Sequence, residues 1–276
     1  MSASTSAENR CSGAAEGDGP PGAGGTAYSR YLELDTLLDV QRPGTDEHDE
    51  LLFVIVHQVH ELWFKQLLHE LDAAQRGFAA AAEGAVLRAL TRVRSIIRIL
   101  INQIDVLGSI TPDRFDAFRA LLGGSGFQSA QFREIEVVLG RRDGAVADQF
   151  EPGCPDHERI GARLREPGLF DSFTGYLVAS GRLPARPADG SGATADEARL
   201  RWALREVYLE DGVAAQICEL LVDLDQTLQE WRFRHTVLAR RVIGDKTGTG
   251  GSSGAEYLRG SVFRHAFPVL WQVRNA

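Results

Sequence analysis

His235 stands where an apolar residue is expected. It belongs to the series Ile217, Leu221, Leu224, Leu228, Trp231, His235, Leu238 and Val242, spaced alternately by four and three, which is the seam of a packed helix. An imidazole in such a seam needs a hydrogen-bond partner or a metal to offset its desolvation. The pattern leaves both open, a core histidine satisfied by a neighbour being the commoner occupant. A second histidine, His57, has Phe53, His60, Glu61 and Phe64 within two turns, an aromatic surface with a polar centre. Here too, an ordinary helical histidine and a functional one are both compatible with the spacing.

The run HQVHE at 57–61 places His57 with His60 or Glu61 on one helical face, which invites a zinc reading. It is neither HExxH nor HxxEH, so metal-assisted hydrolysis is a weak alternative and His60 reads as a surface or interface residue. The loop KTGTGGSSG at 246–254 could cradle an anion with its backbone amides. It follows a helix, and it lacks GxxxxGK[ST], so it is not a nucleotide loop. What remains is a segment able to close over a ligand, with Thr249, Ser252 and Ser253 as hydroxyl donors. Arg119, beside the glycine corner GGSGF, is either a surface arginine or a bidentate clamp for a carboxylate.

Helices must position these groups. Residues 1–26 are small, polar and rich in Gly and Pro, and they read as a disordered tail. A short helix is expected over Tyr28–Leu38, with Leu34, Leu37 and Leu38 on an apolar face. Acidic residues after Pro43-Gly44 favour the start of a long helix over about 48–78. Apolar residues at 87, 90, 93, 97, 100, 104 and 107 form the stripe of a core helix. Thr111-Pro112 opens another, through Ala120, and Gln128–Gly140 follows the glycine corner. Prolines cut 141–197 into short pieces. A helix over about 209–243 carries the His235 seam, and a last helix starts near 255. No strand-like alternation persists, so the fold is all-α, with one domain over 27–276.

Composition narrows the partners. Acidic residues outnumber basic ones, 38 to 30, giving a net charge of -8 and a pI near 5.4, which disfavours nucleic acid and anionic membranes. The three cysteines, Cys11, Cys154 and Cys218, form no CxxC pair, so neither a disulfide framework nor a thiolate zinc site is expected. No apolar run approaches the roughly 18 residues of a membrane helix, and no signal-peptide core is present. A cytoplasmic protein is expected.

Several segments, in order, resemble the tryptophan 2,3-dioxygenase family. They are YxxYLxLDxLL at 28–38, HDELLFVIVHQVHELWFKQLLHEL at 48–71, SGFQSAQFRxIE at 125–136, WRFRH at 231–235 and IGDKTGTGGSSGAEYL at 243–258. The resemblance implies a helical-bundle haem domain holding heme b, ferrous in the active state. His235 is then the proximal iron ligand, and His57 the distal histidine that accepts the indole N–H. Arg119 matches the carboxylate-binding arginine, and Thr249 the threonine contacting the substrate's ammonium and carboxylate. Phe53 and Phe115 match walls of the indole pocket, and Ser125 and Gly126 the corner against the haem. A homotetramer is implied in which Tyr28, Tyr31 and Leu32 reach a neighbour's site in trans. The implied reaction inserts O2 across the C2–C3 bond of L-tryptophan to give N-formylkynurenine. A relative acting on a modified indole, with one or two oxygen atoms inserted, and a non-catalytic haem sensor are the alternatives.

Overall fold

The computed structural model describes residues 25–122, 128–184, 193–248 and 254–275, and every regular element among them is helical. The chain divides into two compact units, Met1–Arg42 and Pro43–Ala276.

In the first unit the helix expected over 28–38 is two short helices, α1 (Ala27–Tyr31) and α2 (Leu34–Leu38). Glu33 between them adopts φ 51°, a left-handed conformation that ends the hydrogen-bonded ladder. Thr26 caps α1 by accepting from the Ser29 amide at 3.1 Å. Neither helix buries a residue, and Tyr28 and Tyr31 are 68% and 87% exposed.

The second unit is built on three long helices. α3 (His48–Ala79) begins where Glu50 turns back to accept from the amides of Gly44 and Thr45, both at 2.8 Å. The carboxylate thus satisfies donors that the entering chain would otherwise leave unpaired. A turn over 80–82 leads into α4 (Glu83–Leu107). The two pack closely enough that a Cβ on Gly77 would come within 2.8 Å of Val86 Cγ2. Expected stripe residues Leu90, Val93, Ile97, Leu100 and Ile104 are buried in the main core.

α10 (Val213–Ile243) packs against α4 and starts later than the sequence suggests. Asp211, at φ 48°, and Gly212 separate it from α9 (Ala193–Glu210), so the start expected near 209 falls in the last turn of α9. Seam residues Ile217, Leu221, Leu224 and Leu228 are buried as expected. The shorter helices are α5 (Pro112–Arg119), α6 (Ala130–Val138), α7 (Pro155–Arg165) and α8 (Leu169–Ala179). The last helix expected near 255 is two, α11 (Ala255–Arg259) and α12 (Pro268–Gln272), parted by the turns over 260–267, with Pro268 in the first turn of α12, where its missing amide is not needed.

One buried carboxylate holds this C-terminal stretch in place. Asp225 on α10, with no exposed surface, accepts from the amides of Ala266 (3.0 Å) and Phe267 (3.2 Å) and from the Trp271 indole N–H (2.9 Å). Residues 260–266 are thereby fixed as a wall over α10. Among the described residues no helix is long and apolar enough to cross a membrane.

Candidate active site

α3, α4, α6, α10 and the 258–266 segment surround a two-lobed cavity, the first lobe of about 470 Å³ and the second of about 390 Å³. The lobes share six residues: His57, Glu61, Leu107, His235, Leu238 and Leu258. Two histidines separated by 178 positions in the chain therefore border one space, because α3 and α10 both pack on α4.

The first lobe is apolar. Phe53, Ile110, Phe115, Leu122 and Val242 line it, with Gly248 and Gly254 at its edge. The Phe53 ring lies 4.0 Å from that of His57 and 5.7 Å from that of Phe115, centroid to centroid. Gly254 at φ 62° has no room for a side chain, since a Cβ would meet the Lys246 carbonyl oxygen at 2.7 Å. The second lobe has Phe64, Ile104 and Phe132 along its sides and a charged end formed by Arg133, Glu136, Arg141 and Arg232.

The protonation of His57 follows from its partner. Its Nδ1 lies 2.7 Å from the Phe53 carbonyl oxygen, which only accepts, so Nδ1 carries the proton and Nε2 offers a lone pair. His60 does the same with the Val56 carbonyl at 2.8 Å. Burial lowers the pKa of both, although the carbonyl bonds and the nearby Glu61 carboxylate oppose the shift. His235 is pushed down to about 4, first by burial and then by the two imidazoles of α3. All three are neutral near pH 7.

Four expected site residues, Phe53, His57, Phe115 and His235, thus meet around one cavity. His60 corrects the sequence reading: it is half-buried and lines the second lobe instead of facing solvent. Arg119 lies beside the cavity, not among its described lining residues. Its guanidinium is 3.8 Å from Asp116 and donates to the Thr247 carbonyl, while Lys246 pairs with the same Asp116. These contacts fasten the start of the glycine loop to α5. Thr249, Ser125 and Gly126 lie outside the described residues. Tyr28, Tyr31 and Leu32 belong to the first unit, where they are exposed.

Sequence reasoning missed the charged end of the second lobe. Trp231 and Arg232 precede His235 by four and three positions, so helical spacing could have placed them beside it. Arg133 and Glu136 gave no such signal, because charged residues at 2% and 8% exposure look like surface residues in a sequence. Glu61 is held by Gln131, which donates to its carboxylate at 2.8 Å and its backbone carbonyl at 3.0 Å, tying α6 to α3. Among the described residues, no three His, Cys, Asp or Glu side chains converge as a metal-binding set.

The family model described as tryptophan 2,3-dioxygenase matches residues 13–151 and 203–276. A tryptophan 2,3-dioxygenase of Anaeromyxobacter sp. (strain K) is 49% identical over 252 residues, covering 90% of this chain and 95% of the relative. Proteins of the same name from Herpetosiphon aurantiacus and Nocardioides sp. are 44% and 43% identical. Each covers 90% of this chain, which accounts for 96% and 93% of their own lengths. With the family model spanning most of the chain and both histidines inside the matched segments, the chain belongs to the tryptophan 2,3-dioxygenase family.

Proposed function

We propose that this protein is a haem-dependent dioxygenase that inserts both atoms of O2 across the indole C2–C3 bond of L-tryptophan, giving N-formylkynurenine. The observation that carries the reading is the shared cavity of His57 and His235, with the His57 Nε2 lone pair available beside an aromatic pocket.

The residues present fit a haem. Its iron asks the protein for one imidazole, and a neutral histidine among apolar walls suits that role. Two buried donors without an acceptor, the Trp231 indole N–H and the Arg232 Nε–H, lie in the wall beside His235, as a group bearing acids requires. His235 would hold its iron. When bound, the haem supplies the activation of oxygen.

The chain's own residues bind and orient. His57 accepts the indole N–H, fixing the ring's register, while Phe53 and Phe115 flank the ring and exclude water. Arg119 takes the substrate carboxylate, exchanging its contact with the Thr247 carbonyl for a charged partner. The family resemblance assigns Thr249 to the substrate's ammonium and carboxylate, and Ser125 and Gly126 to the binding of the haem. The domain over 27–276 works as a cytoplasmic homotetramer in which Tyr28, Tyr31 and Leu32 complete a neighbour's site. The exposure of these apolar residues supports an unmet docking face.

Reduced, haem-loaded protein supplied with L-tryptophan, O2 and ascorbate is expected to form N-formylkynurenine. Turnover of another indole with none of tryptophan would replace the substrate assignment. Haem binding without any product would replace the enzyme by a sensor.

A further inference from the structure

The second lobe ends in more positive charge than its own acids balance. Arg133, Arg141 and Arg232 gather around a single buried carboxylate, Glu136. Arg133 and Arg141 pair with it directly, the latter at 3.0 Å, and Arg141 also pairs with Asp143. Arg232 is left furthest out, with Nη2 at 3.9 Å from Glu136. Its Nη1 donates to two neutral carbonyls, those of Arg264 at 2.7 Å and Ser261 at 3.5 Å. Its Nε–H is buried without an acceptor, and so is the Nε1–H of Trp231 next to it. Both side chains belong to residues at least nine-tenths buried, 9% and 8% exposed.

A buried guanidinium paired mainly with carbonyls, and an indole N–H with no partner, are both costly unless an acceptor arrives. Both line the lobe whose sides are apolar. The ligand matching this shape has a flat apolar body and an acidic end. We propose that Trp231 and Arg232, backed by Arg133 and Arg141, form a carboxylate-binding subsite for a propionate of the haem. This rests on the haem reading above. A free small carboxylic acid shares the chemistry and is the competing source.

Apoprotein is titrated with protohaem and with its dimethyl ester, following the Soret band, and release is timed with an apomyoglobin trap. Wild type is expected to hold the ester roughly ten- to a hundredfold more weakly, the range for hydrogen bonds to a charged group. Trp231→Phe, which keeps the ring and loses only the N–H, and Arg232→Gln should each weaken protohaem and leave the ester unchanged. Equal binding of both haems by wild type, or equal weakening of both by the variants, would overturn the subsite. Thermal stabilisation of wild-type apoprotein by succinate, lost in Arg232→Gln and accompanied by equal binding of the two haems, would assign it to a free acid instead. Failure of wild type to bind either haem would remove the haem reading itself, a result distinct from the others.

Discussion

His57 donates its Nδ1 proton to the Phe53 carbonyl oxygen, 2.7 Å away, while the Phe53 ring lies tilted against its imidazole, 4.0 Å between centroids. One residue thus sets both the tautomer and the orientation of the other. The Nε2 lone pair is directed by a backbone bond that no side-chain substitution at position 53 removes. His57→Phe keeps the ring volume and loses the acceptor. We expect kcat/KM for tryptophan to fall about ten- to a hundredfold, the usual scale for one oriented hydrogen bond. Haem affinity should be unchanged, measured by Soret titration of the same variant.

Phe53→Ala removes a ring that contacts His57, Phe115 and Phe118. The tautomer should survive, and the indole should lose one wall. A rise in KM larger than the fall in kcat is expected in steady-state kinetics, since wall contacts are made in ground and transition states alike.

His235 has a folded pKa of about 4 in the apoprotein, below its ordinary value of 6.5. The unfolded chain therefore binds more protons between those two values, and stability must rise with pH across that interval. The burial that lowers His57 and His60 acts in the same direction. Urea denaturation of apoprotein should show stability falling as pH drops from about 6.5 toward 4. His235→Leu should flatten that dependence, and an unchanged slope would contradict the shift.

Asp225→Ala strips the Ala266 and Phe267 amides and the Trp271 indole N–H of their acceptor, and it leaves the Gln229 side-chain amide with His265 alone. At about 1–3 kcal/mol for each buried donor left unsatisfied, a loss of about 3 kcal/mol or more is expected in chemical denaturation. The wall over 260–266 should loosen with it, seen as faster amide exchange in that segment at unchanged exchange in α4.

Much of the architecture could be read from spacing. The seam through Ile217, Leu221, Leu224 and Leu228 is buried where periodicity puts it, and α3 runs over 48–79 against an expected 48–78. The breaks at Glu33 and Asp211 could not be read, because both depend on left-handed backbone at non-glycine residues that apolar patterns do not encode. In the site, His235 was conspicuous as a polar residue in an apolar seam. His57 was not, since its neighbours fit any amphipathic helix, and only the packing of α3 and α10 on α4 brings the two together. His60 was misplaced for a related reason. Three residues from His57, it stays on the same face, but the width of that buried face is set by the cavity and not by the helix. Arg133 and Glu136 were invisible because a buried ion pair has the same sequence as an exposed one.

The central claim is tested most directly by isotope labelling. Reduced, haem-loaded protein is given L-tryptophan and heavy-isotope O2 in ordinary water, and the product is weighed by mass spectrometry. N-formylkynurenine carrying two labelled oxygen atoms is the expected result. A product with one labelled atom, or an intact indole ring after many haem equivalents of O2, would contradict it.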